Sequence, residues 1–324
     1  MTDIALIDAA AARLAGHARR TPLLSSPFLD EIAGRRVFVK AECLQHTGSF
    51  KFRGAWSAIS ALDKVSRARG VTAFSSGNHA QGVAMAARLH GVPATIIMPS
   101  DAPQMKIDNT RRLGAGVILY DRATEDRDAL GARLAAERGL TLIKPYDNIQ
   151  VIAGQASVGL EIAAQAAEAG IGAADVLVCC GGGGLTSGVA LALEARAPAL
   201  RARPVEPTGF DDVTRSLETG NRQRNAALSG SICDAIITPT PGEITFPILQ
   251  RLCGPGLLVT DDEALHAVAL AWARLKVVLE PGGAVALAAA LFRKDLIRGD
   301  DVICVASGGN VDKDVFLRAL ALLP

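Results

Sequence analysis

The sequence predicts an α/β protein of two lobes, built on open, mostly parallel, twisted sheets flanked by helices. Short apolar runs alternate with helical stretches along the 324 residues, which is typical of βαβ units with parallel strands. Glycine-rich turns directly follow several of these runs, and ligand sites in such sheets lie at the carboxyl ends of strands. With 49 % hydrophobic and 21 % charged residues, the composition is that of a folded chain, long enough for about two packed units.

The first predicted elements lie before Leu62. A helix ends near Arg20, because apolar side chains at helical spacing stop at a Thr-Pro pair. A short strand at 37–40 follows. After a loop through Gly48, a second helix is expected from Ser49, a good N-cap residue, to about Leu62.

Strands and helices then alternate through the middle of the chain. Apolar runs predict strands at 71–74, 94–98, 117–120 and 141–143. Helical stretches between them predict helices at 82–90 and 125–138. From this pattern alone, the boundary between the two lobes falls near Pro145.

The second half of the chain repeats the pattern. Strands are expected at 176–180, 257–259 and 302–306. Helices are expected at 151–169 and 262–275, with one more that ends at Glu194. No low-complexity segment separates these elements, so loops rather than a hinge sequence join the lobes.

The charge balance excludes one broad class of partner. Lys plus Arg number 34 and Asp plus Glu number 33, which gives a net charge of +1. A chain without a field of one sign cannot collect nucleic acid or anionic lipid by bulk charge. We therefore expect neither a nucleic acid nor a membrane as partner.

The six cysteines and the N-terminus point to a soluble, cytoplasmic protein. The cysteines lack paired metal-site spacing and most lie in apolar stretches, which favours buried reduced thiols. Asp3 and Asp8 occupy the region where a signal peptide carries positive charge. The apolar stretch at 284–292 is far shorter than the ~20 residues that a membrane span needs.

The first cluster with chemical character runs from Thr47 to Gly54 and contains Lys51. With Ser49 as N-cap, Lys51 lies in the first turn of a helix, where a cation opposes the helix dipole. The positive helix end would lower the pKa of the amine, as a nucleophile or base requires. A solvated lysine beside Arg53 is the alternative, and for this cluster in isolation it is favoured.

Polar residues follow two other predicted strands. Ser75 to His79 combines small hydroxyls, a glycine and an amide at a helix start, which suits a carboxylate ligand or, equally, a plain N-cap. Ser307 to Asn310 follows the last strand, where a generic turn into a helix is the default interpretation.

Four consecutive glycines, Gly181 to Gly184, follow the strand at 176–180. Their backbone N–H groups can close around a phosphate at the next helix start. The dinucleotide spacing G-x-G-x-x-G fails from every starting glycine, and no Gly-Lys-Ser/Thr of a P-loop follows. A phosphate site of another kind is favoured over a packing turn.

One ligand accounts for all four clusters: a phosphorylated aldehyde cofactor, which needs an amine, an anion cradle and a polar partner for a ring nitrogen. The motifs TGSFKFRGA, SSGNHAQGVA, IAGQ, GGGGL, LEP and SGGNVD occur in this order. On these motifs, which span nearly the whole chain, the sequence closely resembles the fold-type II pyridoxal-phosphate enzymes. The resemblance is to the branch of threonine dehydratases, serine racemases and hydroxyaspartate dehydratases.

The resemblance implies a cofactor role for each matching residue. Lys51 would hold pyridoxal 5'-phosphate as a Schiff base, with Phe50 near the ring. Asn78 would bind the 3-oxygen of the ring, and Ser307 would be the partner of the pyridine nitrogen. The remaining matches are the phosphate cradle and the glutamate of the LEP motif: Gly181, Gly182, Gly183, Gly184, Leu185 and Glu280.

The resemblance also implies a reaction, β-elimination on a 3-hydroxy amino acid, with L-threonine and L-serine as default substrates. Ser76 matches the second acid–base residue, opposite Lys51, and Ser76, Asn78 and His79 match the substrate-carboxylate site. Arg127 matches an arginine near a distal carboxylate in serine racemases and hydroxyaspartate dehydratases, which makes 3-hydroxyaspartate a rival substrate. Serine racemisation stays open, and so does a surface role for Arg127.

A fifth site is formed by Glu206 and Asp212. Family members carry a divalent-cation site at these positions, with a backbone carbonyl that falls here at Phe210, and carboxylates are ligands that Mg²⁺ accepts. An acidic surface turn is the alternative. One departure from the family pattern is Cys233-Asp234-Ala235 in place of Ala-Asp-Gly, which puts backbone contacts near Ala235 in doubt.

The family pattern sharpens the domain prediction and the competing functions. A large cofactor-binding domain is expected at 1–64 and 148–324, with a small mobile domain inserted at 65–147, and a homodimer or homotetramer is expected. A nicotinamide-dependent oxidoreductase is disfavoured by the glycine spacing. A catalytically silent amino-acid sensor is disfavoured by the presence of Lys51 and Ser76.

Overall fold

The computed structural model describes residues 2–75, 77–102, 104–121 and 124–323. Its strands are β1 (Leu23–Ser25), β2 (Arg36–Lys40), β3 (Val71–Phe74), β4 (Ala94–Pro99), β5 (Gly116–Tyr120), β6 (Thr141–Leu142), β7 (Ala174–Cys179), β8 (Leu200–Pro207), β9 (Leu257–Val259) and β10 (Asp301–Val305).

The helices in these ranges are α1 (Ile4–Leu14), α2 (Pro27–Ala33), α3 (Lys51–Ser60), α4 (Lys64–Arg69), α5 (Asn78–His90), α6 (Gln104–Arg112), α7 (Arg127–Arg138), α8 (Ile149–Glu168), α9 (Gly184–Arg196), α10 (Asp212–Thr219), α11 (Thr245–Leu252), α12 (Asp261–Leu275), α13 (Pro281–Phe292) and α14 (Lys313–Leu320). Short 3-10 turns precede α3 and α11.

A six-stranded sheet forms the larger layer, in the order β1-β2-β10-β7-β8-β9. All neighbours are parallel except β1, which pairs antiparallel with β2 at the edge. Helix α13 packs on this sheet, and its residues are buried on every side from Pro281 to Leu291. The apolar stretch at 284–292 is therefore the centre of a core helix.

A second sheet has four strands in the order β5-β4-β3-β6, all of them parallel. Its strands fall between residues 71 and 142, whereas the strands of the larger sheet precede and follow that range. The α/β class with mostly parallel sheets is confirmed. The domain limits at 64/65 and 147/148 stay a prediction.

Helix α3 stands between the two layers. It packs on α5, which belongs to the smaller sheet, and on α8, which leads into the larger one. Close approach requires glycine here, because a Cβ at Gly154 of α8 would lie 2.4 Å from the carbonyl oxygen of Arg53. The start of α3 is thus held from both sides.

Two predictions about helix ends are wrong. Helix α1 ends at Leu14 rather than near Arg20, because Gly16 adopts a left-handed φ of 77° and breaks the helix. Ser49 is not the N-cap of α3: its backbone is extended (φ −162°, ψ 159°), and Phe50 holds the cap position. Ser49 instead pairs with Gly308 in an isolated β-bridge.

The cysteines are buried as predicted, with one exception. All six cysteines are free, and all but Cys253 are buried. In the part of the chain that the structure describes, no helix combines the length and the apolar character that crossing a membrane requires.

Candidate active site

The predicted site residues converge on one cavity between the two sheets. It lies at the carboxyl ends of β3, β6, β7 and β10, where parallel sheets expose ligand sites. The predicted residues that line it are Phe50, Lys51, Asn78, His79, Arg127, Gly181, Gly182, Gly183, Gly184, Leu185, Glu280 and Ser307. Ser76 lies outside the described residues, so its predicted role stays a prediction.

Lys51 is the first residue of α3 and its amine is buried in the cavity. Its Nζ donates a hydrogen bond to the carbonyl oxygen of Pro145 at 2.9 Å and lies 5.1 Å from the centre of the Phe50 ring. Burial lowers the pKa of Lys51 to about 8, although Cys179 and Glu280 oppose the shift. A neutral amine is therefore accessible near physiological pH.

Backbone contacts fix the position of Lys51. The amide of Phe50 donates to the carbonyl oxygen of Ser307 at 3.1 Å, which ties the start of α3 to the loop after β10. From the other side, a Cβ at Gly82 of α5 would lie 3.0 Å from the backbone of Lys51. The amine is thus presented by a rigid backbone, as catalysis requires.

The glycine loop at 181–184 is crowded and ends in a helix start. A Cβ at Gly182 would lie 2.3 Å from the ring of Tyr146, and Gly183 has a left-handed φ of 90°. Helix α9 begins at Gly184, and Gly184 and Leu185 of its first turn line the cavity, so the N–H groups that the helix leaves unpaired lie at this wall. This arrangement suits an anion such as a phosphate.

The amide of Asn78 is fixed by two partners. Its Oδ1 accepts a hydrogen bond from Nδ2 of Asn310 at 2.7 Å, and its Nδ2 donates to Oε1 of Glu280 at 2.6 Å. The second hydrogen of Nδ2 is thereby available as a donor at the cavity wall. Burial raises the pKa of Glu280 to about 7, against the effect of the Asn78 hydrogen bond.

Ser307 meets a residue that sequence reasoning missed. The Sγ of Cys179, the last residue of β7, lies 3.0 Å from the Oγ of Ser307, and both residues line the cavity. In the sequence, Cys179 was only one of six cysteines, placed in the apolar run before the glycine loop. No local sequence signal identifies this contact, because it depends on β7 and β10 being neighbours in the sheet.

His79 is neutral and its ring has a fixed orientation. Its Nε2 lies 2.8 Å from the carbonyl oxygen of Ile143, which can only accept, so we assign the proton to Nε2. Burial and the charge of Lys51 lower the pKa of His79 to about 3. The ring therefore has no hydrogen-bond donor left for a substrate carboxylate. The group of His79 that can still donate to such a carboxylate is its backbone N–H, at the start of α5.

Two cations of the smaller sheet region face the cavity. Arg127 begins α7, and its guanidinium lies 5.3 Å from the centre of the Phe74 ring, which also lines the cavity. Lys106 of α6, a residue that sequence reasoning did not single out, reaches Asp312 across the cleft at 3.6 Å. Two cationic side chains therefore line the cavity, and Lys106 is paired with Asp312.

Two residues of the segment Cys233-Asp234-Ala235, which differs from the family pattern, also lie at this site. Asp234 begins a 3-10 turn (Asp234–Ile236), and Asp234 and Ala235 both line the cavity. Ala235 therefore lies where backbone contacts to a ligand were expected.

Glu206 and Asp212 lie apart from the cavity, at the end of β8 and the start of α10. Glu206 accepts hydrogen bonds from the amides of Val213 and Thr214 at 2.9 and 2.7 Å. Burial raises the pKa of Glu206 to about 8, with a contribution from Asp212, and burial raises that of Asp212 to about 7. The Oδ2 of Asp212 is buried without a hydrogen-bond partner among the described residues.

Comparisons with known proteins agree with this geometry. The family described as pyridoxal-phosphate dependent enzyme matches residues 14–308. An L-threo-3-hydroxyaspartate ammonia-lyase of a Pseudomonas species is 45 % identical over 312 residues, which cover 96 % of each chain. Among solved structures, the threonine deaminase of T.th. matches with a TM-score of 0.90 and 42 % identity, over 96 % of this chain and 99 % of that one. Maize serine racemase matches with a TM-score of 0.90 and 36 % identity, over 99 % and 97 %.

Proposed function

This chain belongs to the pyridoxal-phosphate-dependent enzymes, and from that premise we propose that it is an ammonia-lyase that converts 3-hydroxy amino acids into 2-oxo acids and ammonia by β-elimination. We further propose that 3-hydroxyaspartate is the preferred substrate, with L-threonine and L-serine as the alternatives. The observation that carries the substrate choice is the position of Arg127 on the cavity wall.

The residues present fit the cofactor. The glycine loop leaves no room for side chains and ends at the N-terminus of α9, which supports a phosphate site. Lys51 supplies a buried amine, Asn78 a donor held by Glu280 and Asn310, and Ser307 a hydroxyl at the opposite wall. When bound, pyridoxal phosphate supplies an electron sink that acidifies the α-proton of the substrate.

Lys51 would carry the proton transfer. Its amine, with the pKa lowered to about 8, is neutral in a useful fraction of molecules at physiological pH and so serves as nucleophile and base. The Pro145 carbonyl accepts one N–H of this amine and leaves its other bonds free to turn toward a substrate. Ser76 stays the predicted acid–base residue opposite Lys51.

Ser307 would set the character of the electron sink. A neutral hydroxyl next to a pyridine nitrogen does not hold that nitrogen protonated as an aspartate does. The ring is then a weaker electron sink, which favours elimination over transamination. Ser307 is buried, so water does not compete for this contact.

Two groups on the cavity wall would orient a dicarboxylic substrate, one for each carboxylate. The backbone N–H groups at the start of α5, next to Ser75 and Asn78, suit the α-carboxylate. Arg127 lies at the cavity wall beside Phe74 and suits the second carboxylate, because a guanidinium pairs with carboxylate through two hydrogen bonds. Threonine and serine lack that second group.

Steady-state kinetics of Arg127→Ala on L-threo-3-hydroxyaspartate, L-threonine and L-serine test the substrate proposal. We expect kcat/KM for 3-hydroxyaspartate to fall about 10- to 100-fold, the range for a hydrogen bond to a charged group. The values for threonine and serine should change little. Arg133→Ala, at an exposed position of the same helix, is the matched control. An equal loss on all three substrates would contradict the role of Arg127.

We also propose that Glu206 and Asp212 hold a divalent cation such as Mg²⁺, with the carbonyl of Phe210 as the expected third ligand. The buried, unpartnered Oδ2 of Asp212 supports this, since a cation would satisfy it. At a hundredfold excess over Kd, added Mg²⁺ should stabilise the wild type by about 2.7 kcal/mol and so raise its Tm. The same addition should leave the Tm of Asp212→Asn unchanged. An equal rise in Tm in that variant would contradict a cation site at these residues.

A further inference from the structure

The thiol of Cys179 and the hydroxyl of Ser307 form a buried pair on the cavity wall. Their Sγ and Oγ atoms lie 3.0 Å apart, well within the distance for a hydrogen bond with sulfur. Both side chains are almost fully enclosed, with exposures of 3 % and 4 %. Water therefore cannot replace either partner.

The backbone fixes both members of the pair. Cys179 ends β7, which runs parallel to β10 with Val178 opposite Val305, so Ser307 follows just beyond the paired residues. The carbonyl oxygen of Ser307 accepts from the amide of Phe50 at 3.1 Å, and the carbonyl oxygen of Cys179 accepts from Oγ1 of Thr186 at 3.3 Å. The contact between the side chains is thus imposed by the sheet.

The thiol is a proton donor at physiological pH. Burial raises the pKa of Cys179 to about 11, although Ser307 and Lys51 oppose the shift, so the S–H form persists. A hydroxyl oxygen that accepts one hydrogen bond still has its own hydrogen to donate elsewhere. The direction of that hydrogen decides what Ser307 offers to a ligand.

We propose that Cys179 is a positioning residue: its S–H donates to Oγ of Ser307 and turns the Ser307 hydroxyl hydrogen toward the ring nitrogen of the cofactor. The inference rests on the proposed function, in which Ser307 faces that nitrogen. A nitrogen that accepts a hydrogen bond from Ser307 stays unprotonated. Cys179 would then keep the ring a weak electron sink and suppress transamination.

Three single variants of the holoenzyme separate positioning from packing. Cys179→Ala removes the donor, and Cys179→Ser keeps a hydroxyl donor at the same place. Cys304→Ala removes a buried thiol from β10, the neighbouring strand, and so matches the packing loss of Cys179→Ala. Each is reconstituted with cofactor labelled with ¹⁵N at the ring nitrogen.

The first readout is the ¹⁵N resonance of the ring nitrogen, which does not depend on turnover. Without the thiol, the Ser307 oxygen is free to accept, so in Cys179→Ala the resonance should move toward that of a protonated ring. The second readout is the ratio of transamination to elimination. It should rise about two- to tenfold in Cys179→Ala, the range that one modest hydrogen bond supports.

The proposal predicts that Cys179→Ser and Cys304→Ala keep the wild-type resonance and ratio. It is overturned if Cys179→Ala matches Cys304→Ala in both readouts, or if Cys179→Ser behaves like Cys179→Ala. Should the wild type eliminate none of the 3-hydroxy amino acids, the proposed function fails. The resonance would still test the hydrogen bond on its own.

Discussion

Lys51 and Arg53 lie two residues apart in α3, Lys51 partly buried and Arg53 fully buried, and their surroundings are opposite. Lys51 faces the cavity, where a backbone carbonyl accepts its hydrogen bond and burial lowers its pKa to about 8. In the described part of the chain no carboxylate forms a salt bridge with it. For Arg53, burial also acts to lower the pKa, but the carboxylates that enclose it outweigh burial and raise its pKa.

The network around Arg53 is closed and neutral. Arg53 binds both oxygens of Glu42, each at 2.8 Å, and both oxygens of Glu161 at 2.7 and 2.9 Å. Lys40 pairs with Glu161 as well, and Thr21 donates to Glu42. Two cations and two carboxylates therefore balance, and they join α3 to β2 and α8.

The difference shows how one helix supplies both an anchor and a reactive end. The paired charges of Arg53 fix α3 against the larger sheet, so the unpaired amine of Lys51 is presented at a constant place. An amine without a carboxylate partner is the form that can act as nucleophile or base. The comparison predicts opposite consequences for the two residues.

The largest expected effect is on catalysis at Lys51. Lys51→Ala should lower the elimination rate by about 10³-fold or more, because it removes the nucleophile and the base together. The measurement is steady-state release of 2-oxo acid by the holoenzyme. Arg88→Ala, at an exposed position of α5, should keep the wild-type rate. If Lys51→Ala lost less than tenfold in elimination rate, a group other than Lys51 would be the nucleophile and base.

The next effect is on stability at Arg53. Arg53→Met should lower the free energy of unfolding by about 3–5 kcal/mol, because it leaves the buried Glu42 without its ion-pair partner and removes one of the two cations that bind Glu161. Urea denaturation of the protein measures it, with Arg88→Met as the exposed control. If the two variants lose equal stability, the network does not anchor α3.

The smallest effect has the opposite sign. Lys51→Met should stabilise the cofactor-free protein at pH 7, since burying the charge costs the wild type about 3 kcal/mol when its pKa falls from 10.5 to about 8. The lost hydrogen bond to Pro145 offsets about 1 kcal/mol of this gain. Urea denaturation at pH 7 should show a net gain in Lys51→Met and a loss in Arg53→Met.

The stability gained in Lys51→Met should depend on pH in the direction that the lowered pKa of Lys51 sets. Between pH 8 and 10.5 the unfolded wild type binds the Lys51 proton and the folded form does not, so wild-type stability rises with pH there. Lys51→Met lacks that rise, and its advantage should be full below pH 8 and vanish above pH 10.5. An advantage that is constant across this window would contradict a depressed pKa.

Much of the fold could be predicted from periodicity, and the misses have physical causes. The strands at 71–74 and 257–259 occupy the predicted residues, because short continuous apolar runs between polar turns usually form buried strands. Strand β8 was missed because Arg201 and Arg203 interrupt its pattern, and only the structure shows Arg203 paired with Asp175. Helix α13 is apolar on every side and so carries no periodic signal.

The parts of the candidate site that lie in continuous sequence motifs could be predicted from the sequence. The failed dinucleotide spacing argued against a nicotinamide enzyme, and the family match agrees with that. Contacts between distant segments could not be predicted, because they depend on sheet order. Cys179 with Ser307 is one such contact, and Lys106 with Asp312 is another. The prediction of Ser49 as N-cap was wrong for the same reason, since the backbone of Ser49 pairs with that of the distant Gly308.

The most direct test of the account is to trap the cofactor on the protein and find the residue that carries it. Purified protein should be yellow, and borohydride reduction should fix the cofactor to one peptide, with the added mass on the Nζ of Lys51. The account predicts that label and its absence in Lys51→Ala. A colourless protein that cannot be reconstituted with pyridoxal phosphate, or a label on a different lysine, would contradict it.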